Sequence, residues 1–141
     1  MKLAAKCLIA DFPHKCKYCS FVPSLKNDYQ KRLLIPFCFK EYSYSSDEMF
    51  LFNEEIVGGD GNDVLSGKAR VLFENGIDVS SMIKDGLQKI IRLMDSMEVY
   101  DIILPANNTL CGTTFIADGT FSGGYIRGDS IMTAYLKKYR S

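Results

Sequence analysis

Cys16 and Cys19 form the one Cys-x-x-Cys of the chain. With the more isolated Cys7 and Cys38 they could supply the four thiolates of a tetrahedral zinc site. A redox pair is a second interpretation, but that chemistry is expected within a βαβ unit, which the sequence does not indicate. We favour a third, in which the cysteines pack as small apolar side chains. We therefore expect no metal and no cofactor.

Nucleophilic catalysis would depend on His14, because it is the only histidine in the chain. A Cys–His or Ser–His mechanism would have to use it as the base. Cys111, followed by Gly112, could be the thiol, but no helix N-terminus is evident there to lower its pKa. We therefore predict no catalytic residue and no enzyme. An enzyme built on Cys111 or on paired carboxylates remains an alternative.

Residues 58–66 read Gly-Gly-Asp-Gly-Asn-Asp-Val-Leu-Ser. This segment resembles one calcium-binding nonapeptide of the RTX β-roll family. In that family the ion lies between successive turns, so the resemblance implies a site only where several copies are stacked. No second copy is present, and we interpret the segment as a glycine-rich hairpin loop whose Asp and Asn residues tolerate left-handed backbone angles.

Residues 128–131 read Gly-Asp-Ser-Ile and resemble the nucleophile block of GDSL-type hydrolases. That family also needs an aspartate and a histidine far downstream. Only 11 residues follow Ser130, and none is a histidine. We therefore predict that Asp129 or Ser130 caps a short C-terminal helix instead.

Charge is unevenly distributed along a chain whose net charge is zero. Residues 1–40 are strongly basic, whereas residues 41–67 carry seven carboxylates and no lysine or arginine. A solvated hairpin edge would explain the acidic segment. A docking surface for a basic partner would explain it too, with aromatic side chains as anchors. The residues predicted to form that surface are Glu41, Tyr42, Tyr44, Asp47, Glu48, Glu54, Glu55, Asp60 and Asp63.

The acidic segment leads to our functional prediction. We predict a small protein-binding inhibitor of the immunity or antitoxin type, which neutralises a basic partner such as a nuclease toxin by mimicking nucleic acid. The basic segment beside a possible zinc knuckle suggests an alternative, a small zinc-binding nucleic-acid-binding module. We expect nucleic acid to be an unlikely partner, because the chain is neutral overall.

Composition is that of an ordinary globular domain. The chain has 141 residues, of which 47% are hydrophobic and 24% charged, so we predict one domain over residues 1–141. The odd number of cysteines argues against a secreted disulfide scaffold. No apolar run is long enough for a membrane span. We therefore expect a cytoplasmic protein with no membrane partner.

Apolar residues at helical spacing predict an amphipathic helix over residues 80–97, capped by Ser80 or Ser81. Strands are predicted at residues 33–44, and a hairpin is predicted from residues 49–57 and 68–73. Asp118-Gly119 predicts a second, tight hairpin. The class is therefore α+β, a mostly antiparallel sheet built from hairpins and packed against the helix at about 80–97 and a short C-terminal helix.

Overall fold

The computed structural model describes residues 3–7, 33–96, 99–104 and 106–139; residues 3–7, 33–37, 99–101 and 103 are described by their backbone alone. In chain order the elements are β1 (Leu3–Cys7), β2 (Leu33–Phe37), α1 (Phe39–Ser43), a 3-10 helix (Asp47–Leu51), β3 (Glu54–Val57), α2 (Gly61–Ser66), β4 (Arg70–Phe73), α3 (Ser80–Ser96), β5 (Val99–Ile103), β6 (Phe115–Ala117), β7 (Tyr125–Arg127) and α4 (Ile131–Tyr139).

The strands form three small sheets within the described residues. β3 pairs with β4 and β6 pairs with β7, both antiparallel. With the long helix α3 and the C-terminal helix α4, they confirm the predicted α+β class. A third sheet, in the order β2-β1-β5, is parallel throughout. Apolar runs indicate strands but do not show which strands pair, so the parallel sheet was not predictable from the pattern.

Parallel pairing brings the carboxyl ends of β1, β2 and β5 to one edge of the sheet. Cys7, the last residue of β1, pairs in register with Phe37, the last residue of β2. Cys38 follows directly, and the segment 106–114 follows β5. The carboxyl edge of parallel strands is where ligand sites of α/β sheets are built. Three chain segments far apart in sequence therefore meet at one edge.

Helix α3 follows the predicted apolar spacing, with Ile83, Leu87 and Ile90 fully buried in the core. The hydrogen bonds at the N-terminus of α3 differ from the cap predicted at Ser80 or Ser81. The Asp78 carboxylate accepts the N–H of Ser80 at 2.8 Å, and Ser80 Oγ accepts the N–H of Val71 instead, also at 2.8 Å. The serine therefore joins α3 to β4. Hydrogen bonds from Ser80 also lower the pKa of Asp78.

The segment predicted as a strand over residues 33–44 is a strand only as far as Phe37. Helix α1 begins at Phe39, which is buried with Ser43 against α3. Aromatic residues favour strands statistically, but here their burial on a helix decides the local structure. Similarly, residues 49–57 begin within the 3-10 helix, and only Glu54–Val57 is a strand.

The predicted pairing of the strands at residues 49–57 and 68–73 is confirmed in β3 and β4, but their connection contains the short helix α2. Asp60 Oδ1 accepts the N–H groups of Asn62 and Asp63, and Asp63 Oδ2 accepts the N–H of Asp60. This reciprocal pair is a capping box. The two aspartates that resemble calcium ligands therefore begin a helix.

The C-terminal hairpin is wider than predicted, since β6 and β7 are joined by the loop 118–124 and not by a two-residue turn. The predicted cap at Ser130 is confirmed, because its Oγ accepts the N–H of Thr133 at 3.1 Å.

Across the described parts of the chain, no helix combines the length and the apolar character needed to cross a bilayer.

Gly86 lies where α3 meets α1, and a methyl group there would overlap the side chain of Ser43. Alanine favours a helix by about 1 kcal/mol over glycine, whereas overpacking costs about 1–3 kcal/mol. We expect Gly86→Ala to lower the free energy of unfolding, measured by urea denaturation. Ser43→Gly in the same chain should recover part of the loss, as a positive coupling in a double-mutant cycle. A Gly86→Ala protein more stable than the wild type would contradict this packing.

Candidate active site

A cleft of about 400 Å³ lies between β3, the segment 107–109 and the loop that joins β6 to β7. Lys40 of α1 and Glu74, just after β4, complete its lining. Most of these groups are polar, and Phe121 and Tyr125 add aromatic rings. A concave site with a few convergent polar groups is the usual form of a small-molecule site.

Glu54 is engaged through both carboxylate oxygens. The Tyr44 hydroxyl donates to its Oε1 at 2.7 Å, and Lys40 Nζ lies 3.5 Å from its Oε2. The Lys40 and Glu54 side chains are only 13% and 8% exposed. A buried carboxylate is tolerated when it is paired and hydrogen-bonded, as here. Glu54 therefore ties α1 to β3 and fixes one wall of the cleft.

Tyr44 is buried against Phe50 and Phe73 in edge-to-face contacts, with ring centroids 5.6 and 5.5 Å away. Burial raises its pKa well above the ordinary range of tyrosine, and the charge and hydrogen bond of Glu54 raise it further. The hydroxyl is therefore a hydrogen-bond donor at any physiological pH.

Glu55, the next residue on β3, is 7% exposed and contacts the other side of the cleft. Its Oε1 accepts the backbone N–H of Gly119 at 2.8 Å and that of Phe121 at 3.1 Å. Both residues have positive φ angles, 85° for Gly119 and 58° for Phe121. Positive φ is uncommon for a non-glycine residue and persists where other contacts enforce it. Glu55 thus holds the loop 118–124 in place.

Cys111 lies in the segment 106–114, fully buried beside the cleft. Asn108, which lines the cleft, accepts the N–H groups of Leu110 and Cys111 through Oδ1 at 2.9 and 3.2 Å. The same oxygen lies 3.4 Å from Cys111 Sγ. Asn108 therefore joins the cleft wall to the cysteine.

Helix α4 fixes this segment from behind. Thr133 Oγ1 donates to the carbonyl of Gly112 at 2.8 Å, and the N–H of Met132 donates to that of Leu110 at 2.9 Å. A Cβ at Gly112 would overlap the backbone of Asn108, so glycine is required for the close turn. The position of Cys111 is thus set by buried backbone contacts.

The sulfur of Cys111 is disulfide-bonded. Sequence reasoning weighed Cys111 only as a nucleophile and missed it as a partner of other cysteines. Its spacing from them along the chain offers no signal, because parallel strands bring the segments together.

The four cysteines considered as zinc ligands fall in different places. Cys38 is buried at the start of α1, and Cys7 ends β1. Cys16 and Cys19 lie outside the described residues. Among the side chains that the structure describes, no three His, Cys, Asp or Glu residues are grouped as metal ligands. The zinc site of Cys7, Cys16, Cys19 and Cys38, which we considered and did not favour, is left untested.

The nine residues predicted to bind a partner do not share one environment. Tyr44, Glu54 and Glu55 are engaged in the internal contacts described above, and Asp60 and Asp63 cap α2. Glu41, Asp47 and Glu48 are exposed, and Tyr42 is half-buried, with a pKa raised by burial and then by Glu41. Binding of a partner by the exposed residues stays a prediction.

Comparison with known proteins gives two similarities. No family model matches the chain. Over 84 residues it is 38% identical to the uncharacterized protein YbbK of Bacillus subtilis (strain 168). The match covers 60% of this chain and 56% of YbbK, so the chain spans about half the length of the curated relative it matches. The fold of this chain is similar to that of TudS, a 4Fe-4S-dependent thiouracil desulfidase, with a TM-score of 0.64. The two are 16% identical, and the similarity covers 97% of this chain and 85% of TudS.

These findings correct our functional prediction. The predicted inhibitor of the immunity or antitoxin type, with its role in toxin neutralisation, is wrong, and so is the prediction that the protein is not an enzyme. The chain shares its fold with an iron–sulfur enzyme. The sequence argument failed because it treated every carboxylate between residues 41 and 67 as outward-facing, whereas Glu54 and Glu55 are buried in the cleft wall.

The raised pKa of Tyr44 predicts a loss of stability in alkali. Below about pH 10 the residue is protonated in both the folded and the unfolded chain, and its contribution is fully present. As the pH rises further, the unfolded chain ionises while the folded chain resists, so unfolding is favoured. Tyr44→Phe keeps the ring contacts but loses the bond to Glu54, worth about 1.5–3 kcal/mol for a charged acceptor. We expect this variant to be less stable at pH 7 and less sensitive to pH above about 10.

The measurement is urea denaturation across this pH range. Tyr139→Phe is the matched control, because Tyr139 is 61% exposed. It should follow the wild-type curve. Identical alkaline slopes for the wild type and Tyr44→Phe would show that Tyr44 does not cause the loss.

Proposed function

We propose that the protein is an iron–sulfur enzyme that removes sulfur from a small thiocarbonyl compound bound in the cleft. The observation that carries the proposal is the position of Cys111, which lies directly behind the cleft-lining residue Asn108. The sulfur of Cys111 is bonded to that of another cysteine. The fold shared with a 4Fe-4S-dependent thiouracil desulfidase supports it.

The cysteines fit such a group once the disulfide of Cys111 is reduced, since iron–sulfur clusters are held by cysteine thiolates. The backbone brings Cys7 and Cys38 to adjacent positions at the carboxyl edge of the parallel sheet. Cys111 belongs to the segment that follows β5, on the other side of β1. We assign these three cysteines as the ligands of the cluster. Cys16 and Cys19 are left outside the set.

A four-iron cluster held by these three cysteines would supply an iron able to act as a Lewis acid towards a sulfur atom. The protein's own contribution is to bind and orient the substrate. Asn107, Asn108 and Thr109 give hydrogen-bonding groups along one wall of the cleft, and Phe121 and Tyr125 give aromatic rings on another. A flat heterocycle such as a thiolated pyrimidine matches this combination of ring contacts and polar edges.

Cluster binding is tested on protein purified without oxygen and reconstituted with iron and sulfide. We expect about four iron atoms per chain and the visible absorption of a cluster. Serine at Cys7, Cys38 or Cys111 should each abolish the four-iron form, because a ligand is lost. The matched controls are Cys16→Ser and Cys19→Ser, which should keep it.

The results separate three possibilities. Stoichiometric zinc in place of iron would contradict the proposal. Loss of the cluster in the Cys16→Ser or Cys19→Ser protein would contradict the assignment of ligands while leaving an iron–sulfur protein. Release of sulfide from 2-thiouracil or 4-thiouracil by the reconstituted wild type is the activity we expect, and its absence from a cluster-loaded protein would overturn the proposed reaction.

A further inference from the structure

Glu54 and Glu55 are neighbours on β3 and line the same cleft. They differ in how many of their carboxylate oxygens have a hydrogen-bond or ion-pair partner. Both oxygens of Glu54 have partners, the Tyr44 hydroxyl and Lys40 Nζ. Glu55 uses Oε1 alone, which accepts two backbone N–H groups. Its Oε2 has no hydrogen bond or ion pair to any residue that the structure describes. A buried oxygen of this kind normally has a partner, so one left over at a cleft points to a ligand or water.

The two hydrogen bonds from backbone N–H groups also decide which carboxylate oxygen of Glu55 would carry a proton. Because Oε1 accepts from both Gly119 and Phe121, a proton taken up by the carboxylate has to be carried by Oε2. Oε2 is therefore the oxygen available to exchange a proton with a molecule in the cleft. The loop holds the carboxylate in place while it does so, which is the arrangement that general acid–base catalysis needs.

We propose that Glu55 is the general base of the reaction in this cleft and transfers a proton from water to the departing sulfur through Oε2. The inference rests on the proposed function, because it assumes that a thiocarbonyl compound is the substrate. It adds a catalytic residue that comes from the chain itself and lies outside the set of cysteines.

The step balances without an oxidant or a reductant. The oxygen of a water molecule forms a bond to the carbon that bears sulfur, and one proton of that water passes to Glu55 Oε2. Glu55 returns the proton to the sulfur. The carbon–sulfur bond then breaks with its electron pair on sulfur, the hydroxyl passes its proton to the departing hydrosulfide, and the carbonyl forms. The sum is thiocarbonyl plus water giving carbonyl plus hydrogen sulfide.

Glu55→Gln separates catalysis from anchoring. Its amide oxygen can still accept the N–H groups of Gly119 and Phe121, but the side chain can no longer carry a proton. General base catalysis contributes about 10²–10⁴-fold, so we expect kcat for sulfide release from 2-thiouracil to fall by that factor. Iron content, thermal midpoint and the Kd for 2-thiouracil should stay near those of the wild type. Glu48→Gln is the matched control, since Glu48 is exposed on the 3-10 helix outside the cleft.

Glu55→Ala and Glu55→Asp complete the test. Alanine removes both the base and the anchor, so substrate affinity and thermal midpoint should fall together with kcat. Aspartate keeps a carboxylate at a shorter reach and should exceed the glutamine variant in kcat/KM, a comparison that holds even if Glu55→Gln is partly misfolded.

Two results would overturn the inference alone: a Glu55→Gln enzyme with a kcat within about twofold of the wild type, or aspartate and glutamine variants of equal kcat/KM. Either would make Glu55 an anchor of the loop 118–124 and nothing more. A wild type that carries its cluster and releases no sulfide overturns the proposed function, and the role of Glu55 falls with it.

Discussion

The parallel register of β1 between β2 and β5 is the constraint on which the candidate site depends. Antiparallel neighbours can be joined by tight turns, whereas parallel strands need long connections, and their carboxyl ends then meet at one edge. Here that edge receives Cys7, Cys38 and the segment after β5, which come from widely separated parts of the chain. A register shift of one residue in β1 would place a different residue opposite Phe37 and move Cys7 along the edge of the sheet. The geometry of the site is thus inherited from strand pairing.

Buried polar groups then select one arrangement of the surrounding loops. The Thr133 hydroxyl bonded to Gly112, the Asn108 amide bonded to two N–H groups and the Glu55 carboxylate bonded to two more are all internal contacts of irregular segments. Each would lose free energy if its partner moved away, because a buried polar atom without a hydrogen bond is costly. The loop at 118–124 and the segment at 106–114 are therefore fixed in spite of their lack of regular structure. A cleft built from them can hold a small molecule in a defined orientation.

The sequence predicted the elements that are determined locally. The spacing of Ile83, Leu87 and Ile90 located α3, and β-propensity with turn residues located β3 and β4, since these signals act over a few residues. The sequence did not predict the parallel sheet or the pairing of Cys111 with another cysteine, because both follow from contacts between distant segments. Helix α1 was mistaken for a strand because the aromatic character of residues 37–44 reports burial as much as local conformation. The candidate site was missed for the same reason as the sheet that forms it.

The acidic segment shows why charge along a sequence is a poor guide to a surface. Successive residues of a strand face opposite sides, so Glu54 and Glu55 have identical chemistry in the sequence and different surroundings in the fold. One is neutralised by Lys40 and bound by Tyr44, and the other is anchored through a single oxygen to the loop that forms the opposite wall. Burial removes both from any attraction for a distant cationic partner, because the charge that such a partner senses must face solvent. It also gives each carboxylate a more specific use. The pair that suggested a docking surface is, in the folded chain, the part of β3 that joins α1 to the loop 118–124 and lines the cleft between them.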